Sequence, residues 1–323
     1  ADAPAVVDPV MVAASGDRLL EAEAEDAYED LIAEATLVTP NADEAEVLTG
    51  TEVTDTETAR EAGEELVDLG AEAALVKGGH VPGEEVIDVL VTGESVETIR
   101  HPRIDTEATH GSGCTLSSAI ATRLAHGDDL AVAVRTGVDL LARAVRYNLD
   151  VGEGPGAVHH MAAIRDRADR QPTAERIEAV VRQFVREDVA ALVPEVAMNV
   201  VGATPYAEIP AEVAAVEGRI TRTLDGVKPN RGVRFGASSH IAGLLIAARE
   251  FDPDLRFAVN CRYDDDVAAA LETLDGEIAE VTPGSREGEE DSDYGHGVRA
   301  AVGRAFEATE GTPVAIVTHA QVG

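Results

Sequence analysis

Short apolar runs alternate with amphipathic stretches along almost the whole sequence, and few architectures accommodate that alternation. Residues 5–7 read as a strand that runs into Asp8-Pro9, 36–39 as a second strand, and 73–76 as a third that stops at Lys77-Gly78-Gly79. Helices are expected at 24–35, at 41–48 with Asn41 as N-cap, and at 56–69. Residues 86–91 and 95–100 read as a hairpin around Thr92-Gly93-Glu94, followed by helices at 113–125 and 130–147. The pattern predicts a largely parallel sheet with helices on its faces. The chain is expected to start inside a domain, because its first strand has nothing before it.

The periodicity breaks at Gly-Glu-Gly-Pro-Gly, 152–156. Residues 164–171 are charged and polar, and Pro172 closes them. The sequence therefore divides into a first domain at 1–155, a linker at 156–172 and a second domain at 173–323. Thr173 is expected to cap a helix whose Ile177, Val180, Val181, Phe184, Val185 and Val189 share one stripe. Strands at 195–201, 213–223 (two pieces), 232–235, 256–260, 277–282 and 314–317 alternate with helices at 238–250, 264–274 and 294–307. This is a second α/β unit, and it is expected to stop short just after a strand.

Charge narrows the setting. There are 61 acidic and 26 basic residues, a net −35, and the acids are spread evenly. Lys77 and Lys228 are the only lysines. An even acidic coat keeps a protein dissolved at high salt, where the Debye length shrinks to about 3 Å at 1 M. We read a halophilic cytoplasmic protein. No basic face offers itself to nucleic acid. No run of 18 apolar residues suggests a membrane span, and no basic, apolar leader is visible. Cys114 and Cys261 have no metal-ligand spacing, and no disulfide is expected between them.

Three patterns in the first half could carry chemistry. In His110-Gly-Ser-Gly-Cys-Thr-Leu-Ser117, the glycines let N–H groups of Gly111, Ser112 and Gly113 face outward at a helix start, a fit for phosphate. Cys114 then sits where the helix dipole favours a thiolate. The plain alternative is a glycine turn before a helix with a buried cysteine. Asn41 and Glu44 share the first turn of a helix and suit water-mediated Mg²⁺ contact or, equally, a capping box. Lys77 lies at the C-terminal end of a strand, where ligands of open α/β sheets gather.

These blocks, with Val7-Asp-Pro-Val-Met-Val-Ala-Ala-Ser-Gly-Asp17, Leu37-Val-Thr-Pro-Asn-Ala-Asp-Glu-Ala-Glu46 and Leu75-Val-Lys-Gly-Gly-His80, resemble the phosphomethylpyrimidine kinases of the ribokinase-like fold. The resemblance implies the C-terminal part of a three-layer α/β domain. It implies transfer from Mg-ATP to hydroxymethylpyrimidine and its monophosphate. Cys114 would take the catalytic-base position and Gly111–Gly113 the anion hole. Asp8, Asn41 and Glu44 would fall in the metal–phosphate region, and Lys77 near the nucleotide phosphates. The family's N-terminal third has no counterpart here, so kinase turnover by this chain is expected to be weak or absent.

In the second half, Phe235-Gly-Ala-Ser-Ser-His240 is a strand, a glycine turn and two hydroxyls opening a helix. Gly236, Ser238 and Ser239 could cradle a phosphate with His240 in the first turn, although Ser238 and Ser239 are also natural N-caps. Arg219, between glycine and a strand, would be drawn inward only by an anion. Asn199, Asn260 and Arg262 sit at strand ends and could line the same cleft; for Arg262 solvated surface is the better reading. Pro194-Glu-Val-Ala-Met-Asn199, Glu217-Gly-Arg-Ile220, Val233-Arg-Phe-Gly-Ala-Ser-Ser-His240 and Phe257-Ala-Val-Asn-Cys-Arg-Tyr263 resemble the archaeal thiamine-phosphate synthase domain.

That second resemblance implies condensation of hydroxymethylpyrimidine diphosphate with a thiazole phosphate, with release of diphosphate. Arg219 and His240 match the family's important arginine and histidine, and Mg²⁺ would accompany them on the phosphates. Small pyrimidine and thiazole phosphates are the implied partners, and a homodimer the implied assembly. The competing class is a module that binds thiamine phosphate without making it. The absence of a helix-turn-helix or basic patch and the kinase-like neighbour speak against it.

Overall fold

The computed structural model describes residues 3–11, 28, 30–106, 108–149, 151, 156–281, 294–309, 313 and 315–318. The chain forms two compact units, Ala1–Ala163 and Ile164–Gly323.

The first unit is built on one five-stranded sheet in the order β1-β2-β3-β4-β5. Strands β1 (Val6–Val7), β2 (Leu37–Val38) and β3 (Ala73–Val76) are parallel. Helices α1 (Ala42–Thr49) and α2 (Thr56–Asp68) lie between β2 and β3 in the chain. Strands β4 (Glu85–Thr92) and β5 (Val96–Pro102) then continue the sheet antiparallel. The expected parallel run therefore ends at β3. The loop from β3 to β4 carries no crossover helix, and a parallel return needs about a dozen residues or more.

Alternation along β3 sends side chains to both faces. Ala74 and Val76 pack with Ala59, Ala62 and Leu66 of α2. Ala73 and Leu75 pack with Leu116 and Ile120 of α3 (Ser112–Ala125) and with Val134 and Val138 of α4 (Leu130–Arg146). Each of the larger of these side chains, the valines, leucines and Ile120, contributes about 1.5–3 kcal/mol when fully buried. The result is three layers, with Asp8, Thr39 and Lys77 just past the C-terminal ends of the three parallel strands. Of the helix expected at 24–35, the described residues 28 and 30–33 are helical; residues 12–17 of the first motif lie outside the described residues.

The second unit departs from expectation at its start. Residues expected as linker are helical from 162 onward, because α5 runs Ala162–Glu187 with Pro172 inside it. Residues 152–155 lie outside the described residues. Thr173 is not a cap but a buried residue within this helix. A proline inside a helix forfeits a hydrogen bond and costs about 3 kcal/mol. Tertiary contacts on both sides of it offset that cost. Asp166 accepts from the Tyr206 N–H at 2.8 Å, Arg256 Nη2 reaches Asp169 at 2.6 Å and Thr173 Oγ1 at 3.2 Å, and Ile177 is fully buried.

The main sheet of this unit has the order β10-β7-β6-β11 and is antiparallel throughout. It comprises β6 (Asn199–Ala203), β7 (Val213–Val216), β10 (Val233–Phe235) and β11 (Phe257–Asn260). A hairpin of β8 (Ile220–Thr223) and β9 (Gly226–Pro229) stands between β7 and β10 in the chain, and β9 escaped sequence reasoning. On one face, α5 buries Ile177 and Val181 against Met198, Val200, Ala214 and Val216. On the other, α6 (His240–Arg249) sets Ile241, Ala242 and Leu245 against Val201, Ala203, Val213 and Ala215. Helices α7 (Asp265–Leu271) and α8 (Tyr294–Glu307) and the parallel pair β12 (Ile278–Val281) and β13 (Ala315–Thr318) complete the unit.

Candidate functional site

In the first unit, three chain segments meet at the start of α3. Lys77 Nζ lies 3.0 Å from Asp8 Oδ1, and both side chains are largely enclosed. Gly111 begins the turn with φ +81°, a left-handed conformation that glycine adopts without strain. Gly113 is glycine for a second reason. A Cβ there would stand 3.2 Å from both Asp8 Oδ2 and Lys77 Nζ. Thus Asp8, Lys77, Gly111, Ser112 and Gly113 are brought together, and the helix start carries no side-chain cap of its own.

Residues quoted within the motifs but given no role there, with His160, hold this arrangement. Thr39 Oγ1 is within 3.2 Å of Asp8 Oδ1 and 2.9 Å of Ser117 Oγ, and Ser117 Oγ donates to the Gly113 carbonyl at 3.0 Å. These partners are 31 and 78 residues apart from Thr39, so no local pattern signals them. Thr115 Oγ1 donates to the Gly111 carbonyl at 2.7 Å and is 2.8 Å from His160 Nε2.

Cys114 is exposed, which removes the alternative of a buried structural cysteine. It opens on a cleft of about 480 Å³ lined by Thr115, Ser118, Leu140 and His160 among others. Asn41 and Glu44 form the reciprocal capping box. Asn41 Oδ1 accepts from the Glu44 N–H and Glu44 Oε2 from the Asn41 N–H, each at 2.8 Å. Such a cap contributes about 1 kcal/mol. Burial, and then the charges of Asp8 and Glu44, push the Tyr28 phenol above its ordinary pKa. Among the described residues no group of three or more His, Cys, Asp or Glu side chains could hold a metal ion.

In the second unit the candidates separate. Arg219 lies in the turn after β7, exposed, with φ +68°. Its Nη1 donates to the Val196 carbonyl, and its own carbonyl accepts from the Asn230 N–H at 3.0 Å. Gly236 (φ +73°), Ser238, Ser239 and His240 follow β10 at the other end of the same strand pair. Gly236 N–H donates to the Val213 carbonyl, whereas Glu217 N–H donates to that of Gly232. The length of β7 therefore keeps Arg219 at least about 10 Å from the Gly236 turn. This register sets the backbones of Arg219 and Gly236 at opposite ends of the strand pair. Ser239 occupies the N-cap position of α6 but makes no side-chain cap bond.

Asn199 and Asn260 are at the Arg219 end, and their amides serve the backbone. Asn199 Oδ1 accepts from Val200 and Val216 N–H, and its Nδ2 donates to the Val216 carbonyl. Asn260 Oδ1 accepts from the Asn199 N–H at 2.7 Å and its Nδ2 donates to the Ala197 carbonyl. Asn199 is buried. These contacts give both amides a structural role. Arg262, read as solvated surface, pairs with Asp264 at 2.5 Å.

Comparison with known proteins follows the same division. Residues 1–159 match the family model described as phosphomethylpyrimidine kinase, and residues 176–323 the model described as thiamine-phosphate synthase ThiN. The first half is similar to the thiamine biosynthesis bifunctional protein ThiED of Geobacter sulfurreducens, 43% identical over 166 residues, 51% of this chain and 34% of that protein. It is also similar to the hydroxymethylpyrimidine/phosphomethylpyrimidine kinase of Streptomyces coelicolor, 44% identical over 49% of this chain and 59% of that protein. The chain thus spans between a third and three-fifths of the length of these relatives. A solved pyridoxal kinase from Staphylococcus aureus in complex with AMP-PCP is 30% identical over 50% of this chain and 59% of its own, with a TM-score of 0.47.

Proposed function

We propose that this protein serves thiamine biosynthesis with two phosphate-handling transfers in one chain, a reading supported by the match of residues 1–159 to the phosphomethylpyrimidine kinase model and of residues 176–323 to the thiamine-phosphate synthase ThiN model. The observation that carries the first is the meeting of Lys77, Asp8 and the Gly111–Gly113 turn beside the exposed Cys114.

In the kinase half, ATP is the phosphoryl donor and the hydroxymethyl group of the pyrimidine the acceptor. Cys114 takes the hydroxyl proton as the oxygen bonds to the γ-phosphorus, and the bond to the β,γ-bridging oxygen breaks to release ADP. Charge gathers on the phosphoryl oxygens, so preorganised N–H groups of the turn and the Lys77 ammonium lower the barrier. Asp8 Oδ2 is buried and has no hydrogen-bond partner among the described residues, an oxygen suited to a cation. Asp8 would hold Mg²⁺, and Asn41 and Glu44, each already serving the capping box, would support it through water. Mg²⁺, when bound, supplies neutralising charge at the phosphates.

In the synthase half, the thiazole nitrogen bonds to the pyrimidine methylene carbon while the carbon–oxygen bond to diphosphate breaks. Both substrates carry phosphate, and the second unit offers two anion-suited ends. We assign Arg219 to one phosphorylated group and Ser238, Ser239 and His240 to the other, with Gly236 making the turn that presents them while its own N–H stays on the Val213 carbonyl, and with Mg²⁺ accompanying the diphosphate. The even acidic coat supports an archaeal, halophilic, cytoplasmic enzyme, and a homodimer follows the habit of both families.

The test is turnover by the whole chain in high salt. Hydroxymethylpyrimidine diphosphate and thiazole phosphate should give thiamine phosphate and one diphosphate per cycle. Binding of thiamine phosphate with no diphosphate release would replace the synthase reading by that of a binding module. ADP release with hydroxymethylpyrimidine tests the kinase half separately.

A further inference from the structure

Lys77 opens the loop that joins β3 to β4, and this loop is gripped from outside by one side chain. Arg103, just past β5, donates Nε to the Gly83 carbonyl at 2.8 Å, Nη1 to that of Gly79 at 2.8 Å and Nη2 to that of Val81 at 2.6 Å. Its backbone N–H donates to the Glu84 carbonyl at 3.1 Å. At the near end of the loop, the buried Asp88 accepts from the Gly78 N–H at 2.9 Å, with His101 Nε2 3.4 Å from its other oxygen. Gly78 is pressed so close to β4 that a Cβ would fall 2.1 Å from the Ile87 carbonyl oxygen.

The second unit uses Arg249 in the same way, on the carbonyls of Ala207, Leu255 and Pro205, but there the arginine is buried, whereas Arg103 is exposed. The chain has 61 acids, yet Arg103 gives each of its three nitrogens to a backbone carbonyl and pairs with no carboxylate among the described residues. The residue is exposed and stands outside both hydrophobic clusters of the unit. Its grip therefore adds little to the core. It fixes the loop that continues from Lys77. Arg103 also precedes the segment leading to Gly111, so one guanidinium ties the lysine loop to the chain that enters the anion turn.

We propose that Arg103 is a positioning residue of the nucleotide site: it holds residues 78–83 in the one conformation from which Lys77 reaches both Asp8 and the Gly113 turn. The inference rests on the kinase reading of the first half and adds a residue to it. A planar fork of donors meets three converging carbonyls, whereas a lysine ammonium meets them as a point charge and restores little. With the fork removed, the loop gains freedom, and binding must re-order it before the phosphates are held.

The experiment is Mg-ATP and Mg-ADP titration of the whole chain by calorimetry, comparing unaltered protein, Arg103→Ala, Arg103→Lys, and Arg103→Ala with millimolar guanidinium. Arg103→Ala should weaken nucleotide binding about tenfold, the scale of charge-assisted hydrogen bonds lost from a preorganised loop. Guanidinium should recover part of that loss, and the thermal midpoint should hold. Unchanged affinity in Arg103→Ala overturns the proposal. So does a loss that guanidinium leaves untouched and that tracks a fall in thermal midpoint. If the unaltered chain binds no nucleotide, the kinase reading fails and the proposal with it, an outcome distinct from the other two.

Discussion

The Lys77 ammonium and the Asp8 carboxylate, 69 residues apart in sequence, form a 3.0 Å ion pair directly beneath Gly113. Gly113→Ala would place a methyl 3.2 Å from both charged groups. Both are side-chain ends, so they would yield rather than unfold the helix. Alanine is also the better helix former by about 1 kcal/mol. Urea unfolding should show equal or slightly higher stability, while ATP affinity falls several-fold. A parallel loss of stability and affinity would mean that the glycine serves packing alone.

Arg219 combines a left-handed backbone with the guanidinium assigned to phosphate. Arg219→Gly separates the two. Relief of backbone strain should hold stability level or raise it by about 1 kcal/mol. Thiamine phosphate formation should fall by about a hundredfold or more, the scale of losing one preorganised charge donor. Steady-state turnover beside denaturant unfolding checks both signs.

Asn199→Ala tests the structural role of a residue that sequence reasoning placed in a substrate cleft. The change strips partners from the N–H groups of Val200 and Val216 and from the Val216 carbonyl, inside a sheet. The expected loss is about 2–4 kcal/mol of unfolding free energy. A variant of normal stability with a raised KM would return Asn199 to the substrate.

The Cys261 thiol is pushed above its ordinary pKa by partial burial and then by the charge of Asp264. A raised thiol pKa means less thiolate at a given pH. Alkylation of Cys261, followed by peptide mass spectrometry, should therefore rise at higher pH than for a free cysteine. Asp264→Asn keeps the oxygen that caps α7 and should bring the midpoint partly back down. No movement would assign the whole effect to burial.

The features legible in the sequence are local ones. The β3 strand at 73–76, the hairpin around 92–94 and the Asn41 cap all follow from side-chain period and backbone chemistry within a few residues. Pro172 misled because it is a strong local signal. A proline marks a helix end by default, and only Asp166, Asp169 and Thr173, reaching partners elsewhere in the second unit, keep α5 going through it. Asn199 shows what a local signal omits. An asparagine at a strand end looks available until the neighbouring strand claims its amide.

The sequence by itself determined most of the strands and helices, the glycine turn before Cys114, and the two motif sets that divide the chain. Those depend on backbone freedom and hydrophobic period, which each segment carries alone. The tertiary structure decided which of the singled-out residues meet. It joined Asp8, Lys77 and Gly113, recruited Thr39 and Ser117, and set Arg219 and His240 at opposite ends of the β7–β10 pair. Strand order and register decide such meetings, and they are settled between segments far apart in the chain.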